Sequence, residues 1–387
     1  MKLTFISNYM NHHQLPSSLC FYEQFGDAFR FIATKPIRQE RRELGYADMN
    51  REYPFILRSY DGPESYQAAM ERLLESDAII AGSAPDSMLQ KSVRRKQLIF
   101  RYAERPLRNG LELHKYIPRY LKWHRKNPTH NPIYLLCASA FTAYDYSRMH
   151  LFPNKAYKWG YFTQVKTYDN PTDIISAKDP IKLLWVGRFL ELKHPDDVLT
   201  VAKRLAEDGY DFTLDFIGTG PMEETMRKMI AQYRLEDRVT LLGSMPPEQV
   251  RLHMEQAGIY LFTSDRKEGW GAVLNEAMNS GCATVASHVI GSVPYLIQNQ
   301  ANGLIYRSGD TNEMYQKVKF LLDHPVEQRR IGEAAYHTIA DLWNPAVAAE
   351  RFIQLAQAIL DGDKSPDLFE DGPCSKAEIL KENWYQG

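Results

Sequence analysis

The chain has 387 residues, a formal net charge of −1 and 44% hydrophobic residues. That length exceeds one ordinary core and predicts two domains, and the near-neutral balance argues against a chain-wide nucleic-acid binder. Four scattered cysteines, Cys20, Cys137, Cys282 and Cys374, form no CxxC, so no disulfide framework or zinc site is expected and a cytoplasmic setting fits. No apolar run reaches the ~18 residues of a membrane span, and MKLTFISNYMNHH is too short in apolar residues for a signal peptide, so contact with lipid is expected to be peripheral.

In chain order, KLTFIS, FRFIAT, PFILRS, DAIIAGS, QLIFRY and IYLLCAS read as strands and predict an α/β domain over residues 1–165. Within it, residues 91–126 carry twelve basic side chains against Glu104 and Glu112 alone. There YIPRYLKWHRK interleaves Tyr116, Ile117, Tyr120, Leu121 and Trp123 with cations, a composition suited to the anionic inner face of a membrane. The stretch TQVKTYDNPTDIISAKDP has little periodicity and reads as a linker over 166–180.

From Ile181 the rhythm is regular. KLLWVG, FTLDFIG, VTLLG, IYLFTS, ATVAS and GLIYR are apolar enough for buried parallel strands. They alternate with the helical patterns HPDDVLTVAKRLAEDG, PMEETMRKMIAQYRL, PPEQVRLHMEQAG, GAVLNEAMNSG and VPYLIQNQANG. Repeated strand and helix predict a doubly wound parallel sheet over 181–362, which includes the helix NPAVAAERFIQLAQAIL. A polar breaker and a short helix, KAEILKENWYQG, close the chain over 363–387.

The stretch EGWGAVLNEAMNSG follows the strand IYLFTS, and in an open parallel sheet ligands bind beyond the carboxyl ends of the strands. A helix starting near Gly271 offers unpaired N–H groups to a phosphate, and Gly269 and Gly271 let the backbone approach it closely. Glu276, further along the helix, is within reach of a ribose. Glu268, before the helix, meets whatever the phosphate carries. WVGRFLELKHP supplies Arg188 and Lys193 as balancing cations beside Gly187; the bland alternative for Arg188 is a surface ion pair with Glu191. FIGTGP supplies Gly218 and Gly220. The pattern fits a nucleoside-diphosphate sugar. Asp361-Gly362-Asp363 imitates a metal-binding DxD but sits in a polar breaker after a long helix, so it reads as a turn and no metal is implied.

VGRFLELK, FIGTGP and EGWGAVLNEAMNSG resemble, in this order and spacing, the donor domain of retaining GT-B glycosyltransferases of the family-4 type, whose hallmark is two glutamates separated by seven residues. The likeness covers about Lys182 to Leu322. It implies a GT-B fold, two Rossmann-like domains facing across a cleft, with the terminal helix crossing back to the first. By it, Arg188 and Lys193 bind diphosphate, Glu276 the ribose and Glu268 the sugar. Ala272, Val273 and Leu274 lend N–H groups, and the base lies near Leu242 and Gly243. It also implies transfer without metal or cofactor to a glycan or polyprenyl-linked acceptor, with retention by same-face attack, in a setting such as bacterial surface-polysaccharide assembly. Two departures stand out: SNYMNHHQLPSS replaces a glycine-rich loop, and GSAPDS occupies the place of a histidine. His12 or His13 is the candidate substitute. A sugar-nucleotide epimerase and a non-catalytic sugar-nucleotide-binding protein are the alternative readings.

Overall fold

The structure is a computed structural model that describes residues 1–37 and 48–387. Its chain forms two compact units. Met1–Gln164 with Pro345–Leu380 make unit 1, and Val165–Asn344 with Lys381–Gly387 make unit 2.

Unit 1 holds β1 (Leu3–Ser7), α1 (Leu15–Phe25), β2 (Phe29–Ala33), β3 (Ile56–Arg58), α2 (Pro63–Glu75), β4 (Ala78–Ala81), α3 (Asp86–Arg94), β5 (Leu98–Ala103), α4 (Tyr116–Lys126), β6 (Ile133–Cys137), α5 (Thr142–Ser147) and β7 (Ala156–Lys158). The strands form a sheet in the order β3-β2-β1-β4-β5-β6-β7, parallel at every pairing. Every residue of β1, β4 and β6 is buried. Helices cover both faces of such a sheet, so its central strands have no polar side to show. β7 was not expected from the sequence, because Ala156 and Tyr157, flanked by Lys155 and Lys158, form no apolar run.

Unit 2 repeats the plan with α6 (Pro171–Ser176), β8 (Asp179–Val186), α7 (Pro195–Glu207), β9 (Thr213–Ile217), α8 (Glu223–Tyr233), β10 (Val239–Leu241), α9 (Pro247–Gln256), β11 (Ala257–Phe262), α10 (Val273–Asn279), β12 (Ala283–Ser287), α11 (Val293–Leu296), β13 (Leu304–Tyr306), α12 (Thr311–Asp323) and α13 (Pro325–His337). Its sheet runs β10-β9-β8-β11-β12-β13, again parallel. Pro195 opens α7 in its first turn beside Asp196 and Asp197, where fixed φ and negative charge suit a helix start. Val198, Leu199, Val201, Ala202 and Leu205 turn inward from it. Beneath, Trp185 meets Phe189 and Phe216 at centroid separations of 5.8 and 5.6 Å. Fully burying a side chain of this kind contributes roughly 1.5–3 kcal/mol.

Four expectations are corrected. The helix α14 (Pro345–Leu360) belongs to unit 1 and not to the second domain. Its apolar face covers the first sheet, where Phe352 packs edge-on against Phe21, Phe100 and Trp159. The closing segment forms no helix; residues 363–380 belong to unit 1 as expected, and Lys381–Gly387 alone return to unit 2, held by Trp384 donating to the His288 carbonyl at 3.1 Å and Tyr385 donating to the Ile305 carbonyl at 2.8 Å. The linker stretch is docked. The Asn279 amide exchanges hydrogen bonds of 2.8 and 3.1 Å with the Lys166 backbone, Lys166 pairs with Glu255 at 2.6 Å, and α6 buries Ile175. VPYLIQNQANG yields only the single turn of α11, since Asn302 folds back to accept from the Gln298 N–H at 2.7 Å.

Candidate functional site

In unit 2 the chain order reverses between β8 and β11: β9 and β10 are added on one side and β12 and β13 on the other. Loops leaving such neighbours diverge and open a crevice at the carboxyl ends of the strands. The loop after β8 carries Gly187, Arg188 and Lys193; the loop after β11 carries Glu268, Gly269 and Gly271. Lys193 and Glu268, far apart in sequence, meet there.

The two loops are bonded together. Lys193 Nζ pairs with Glu268 Oε2, the two side chains being 17% and 15% exposed. Ser264 Oγ donates to the same carboxylate oxygen at 2.9 Å. Thr263 Oγ1 donates to the Lys193 carbonyl at 2.6 Å and accepts from Trp185 Nε1 at 2.9 Å, while the Asp265 N–H reaches the Leu192 carbonyl at 2.8 Å. His194, left-handed at φ 48°, stands 3.9 Å from Asp197 and 3.7 Å from Asp265. Among the described residues, His194, Asp196 and Asp197 bring ligand-type atoms within 4.8 Å of one another. The first turn of α7 accounts for those carboxylates without an ion.

Gly271 is a steric requirement. Its φ is +80°, and a Cβ on it would stand 2.2 Å from Phe262 Cζ. Behind it α10 begins at Val273, later than the start near Gly271 expected from the sequence. The Leu274 N–H closes a turn onto the Gly271 carbonyl at 3.0 Å, which corrects its assignment as an open donor. Among the described residues no hydrogen bond engages the N–H of Ala272 or Val273. Trp270, buried against Tyr295 and Trp343 and donating to Asn275 Oδ1 at 2.8 Å, pins this corner from below.

Glu276, partly buried, lies in the first turn of α10. Burial pushes its carboxyl above the ordinary carboxylate range, and the Arg251 charge pulls it partly back. Arg251, on α9, donates to the Glu276 carbonyl at 3.2 Å and to Asn279 Oδ1 at 2.9 Å, which fixes the far end of α10. The buried Tyr260 hydroxyl is raised first by burial and then by the charges of Glu276, Cys282 and Glu268, so it lies in the field of both glutamates.

Arg188 is exposed, and among the described residues it makes no ion pair, so the surface pair with Glu191 is not formed. Gly218 and Gly220 have a packing reason to be glycine. A Cβ on Gly218 (φ +139°) would lie 1.9 Å from the Gly187 carbonyl oxygen, and one on Gly220 would lie 2.5 Å from that of Phe189. The Gly218 N–H donates to the Gly243 carbonyl at 2.8 Å, and the Leu242 N–H to that of Phe216 at 2.9 Å. The loops after β8, β9 and β10 are thereby stitched side by side.

His13 lies in unit 1 after β1, its ring stacked on Tyr161 at 5.3 Å and 3.8 Å from that of His12. Asp361, Gly362 and Asp363 form a turn at the end of α14. Sequence reasoning missed Ser264, Thr263 and Arg251. The first two had a signal, hydroxyl residues at the carboxyl end of a strand; Arg251 had none, since nothing in the pattern of its helix distinguishes it from a surface cation.

Residues 169–338 match the family model described as glycosyl transferases group 1. The amylovoran biosynthesis glycosyltransferase AmsK of Erwinia amylovora is 31% identical over 140 residues, 35% of this chain and 34% of that protein. The N-acetyl-alpha-D-glucosaminyl L-malate synthase of Bacillus anthracis is 26% identical over 191 residues, 49% of each chain. The chain thus spans about a third to a half of the length of the curated relatives it matches. The crystal structure of Anabaena Alr3699/HepE in complex with UDP superposes with a TM-score of 0.67 at 12% identity, covering 92% of this chain and all of that one. At that identity the likeness speaks for the fold. Residues 169–338 are thus similar to the glycosyl transferases group 1 domains, in a chain whose two Rossmann-like domains have the GT-B fold.

Proposed function

We propose that this protein is a retaining glycosyltransferase that moves a sugar from a nucleoside diphosphate to a glycan or polyprenyl-linked acceptor. The observation that carries the proposal is the Lys193–Glu268 pair at the β8/β11 crevice, beside a glycine that admits no side chain. An ammonium has three donors. One serves Glu268, and the others are available to a diphosphate that Arg188 forks from the exposed side. The Ala272 and Val273 N–H groups add to that cradle. In this reading Glu276 accepts from the ribose hydroxyls, Glu268 from the sugar, and the base rests near Leu242 and Gly243. Two cations neutralise the leaving diphosphate, so the proposal invokes no metal ion and no cofactor.

The bond from the anomeric carbon to the phosphate oxygen breaks while the acceptor oxygen bonds to that carbon on the same face. The acceptor proton passes to the departing phosphate oxygen. His13 is the candidate for orienting the acceptor. AmsK, named for amylovoran biosynthesis, supports a setting in bacterial polysaccharide assembly. Incubation with a panel of labelled nucleoside-diphosphate sugars, with and without glycan and polyprenyl-phosphate acceptors, tests the reading. Acceptor-dependent release of nucleoside diphosphate, with the anomeric configuration kept in the NMR spectrum of the product, is the expected result. Conversion of a donor sugar without acceptor, or donor binding with no turnover on any acceptor, contradicts it.

A further inference from the structure

The helix α4 lies beside α3 in unit 1 and divides its side chains between two surroundings. Tyr116, Tyr120 and Trp123 pack against the core, with Trp123 meeting Tyr146 at 5.2 Å. The aromatic rings that made the sequence look membrane-seeking are therefore partly buried against the core. The outward face carries something else. Ile117 and Leu121, one turn apart, are 68% and 63% exposed, and Pro118, Lys122 and Arg125 are exposed on the same side. Single exposed aliphatics need no explanation. Two as neighbours on one helix face, where residues four apart adjoin, form a patch.

The charge around the patch is uncompensated. Asp86 is taken by Lys126 and by Arg101 at 3.5 Å, and Glu112 by Lys115 at 2.5 Å. Among the described residues no ion pair engages Lys91, Arg94, Arg95, Lys96, Lys122 or Arg125, and α4 itself contains no acidic residue. The apolar pair thus sits in a positive field. A soluble polyanion would satisfy the cations and leave the aliphatics in water; an acidic protein face would need its own apolar complement. An anionic bilayer satisfies both parts, because its headgroups carry the charge and the acyl boundary beneath them takes the aliphatic side chains.

We propose that the outward face of α4, with the basic end of α3, docks this protein on an anionic lipid bilayer, Ile117 and Leu121 entering the headgroup boundary. This inference does not rest on the donor reading, since the surface lies in unit 1 and the donor residues lie in unit 2.

Co-sedimentation of the full chain with vesicles of equal parts phosphatidylglycerol and phosphatidylcholine tests it, with pure phosphatidylcholine vesicles as the comparison. Wild type is expected to bind the anionic vesicles at low salt and to lose at least about tenfold in partition at ~1 M salt, where charges are screened beyond ~3 Å. Lys122→Gln and Arg125→Gln should each weaken binding about fivefold, the contribution of one basic residue near such a surface. The double variant Ile117→Ser with Leu121→Ser keeps every charge and should lose about tenfold or more. Both positions face water, so its melting curve should match wild type and report an intact fold. Equal binding to both vesicle types, wild-type binding by the double serine variant, or equal affinity for soluble polyphosphate would each overturn the proposal.

Discussion

Lys193 and Glu268, seventy-five positions apart, are joined as an ion pair across the loops that leave β8 and β11. The pair is mostly shielded from water, and Ser264 supports the carboxylate from one side only. Lys193→Ala would strand that carboxylate and remove a cation from the leaving group. A decrease in kcat of about 10²–10³ is expected, as for other single groups that stabilise developing charge. Steady-state kinetics on the best donor check this, and Lys193→Arg should recover only part of the rate because a planar fork does not replace a point charge. A variant within twofold of wild type would refute the role.

Glu276 links binding to pH. Its folded-state carboxyl is raised above 4.5 by burial. The folded chain therefore holds that proton more tightly than the unfolded chain, and ionising the group costs stability as pH rises from ~4.5 through the folded value. Glu276→Gln should be more stable than wild type at neutral pH without nucleotide, and the gain should vanish below ~pH 4.5. The same variant should bind nucleoside diphosphates more weakly. Urea unfolding across about pH 4 to 8 measures the first effect. A neutral-pH stability loss in Glu276→Gln would show that burial is not the dominant influence on this carboxyl.

Two glycines differ in what opposes a side chain. At Gly271 the obstacle is the Phe262 ring, 2.2 Å from an added Cβ, and at Gly218 it is the Gly187 carbonyl oxygen at 1.9 Å. A ring can be trimmed and a backbone cannot. Gly271→Ala should cost about 1–3 kcal/mol from overpacking plus about 1 kcal/mol for its positive φ. Adding Phe262→Leu should relieve the overpacking part alone. Gly218→Ala should cost more and find no such partner. Denaturant midpoints of the four proteins test the ranking.

The helix α14 supplies a fourth test. Phe352 touches Phe21, Phe100 and Trp159 in the first unit, so Phe352→Ala opens a cavity there and should cost about 3–5 kcal/mol. The loss should fall on hydrogen-exchange protection of β1, β5 and α1, with β8 and β11 little changed.

Much of this was legible in the sequence, for physical reasons. The strands LTFIS, IYLLC and ATVAS are buried along their whole length, so burial wrote an unbroken apolar run into the chain. The crevice residues were legible because EGWGAVLNE places bare backbone and carboxylates at a strand end. Non-local choices were not. The apolar face of α14 says that it covers a sheet but not which one, and its partners Phe21 and Phe100 lie hundreds of residues earlier. The tail KENWYQG has helical formers, yet the Trp384 and Tyr385 hydrogen bonds to unit 2 outweigh that local preference. The glycines of FIGTGP look phosphate-binding in sequence; in the fold their lack of side chain first serves contact with the loop holding Gly187 and Phe189.

Binding of a nucleoside diphosphate in the β8/β11 crevice is tested most directly by calorimetric titration of UDP, GDP, ADP and their sugars into wild type and Glu276→Ala. Saturable binding of at least one of them is expected, weakened about tenfold or more in the variant, in keeping with the loss of charged hydrogen bonds. Absence of binding by all of them, or equal affinity in both proteins, would contradict it.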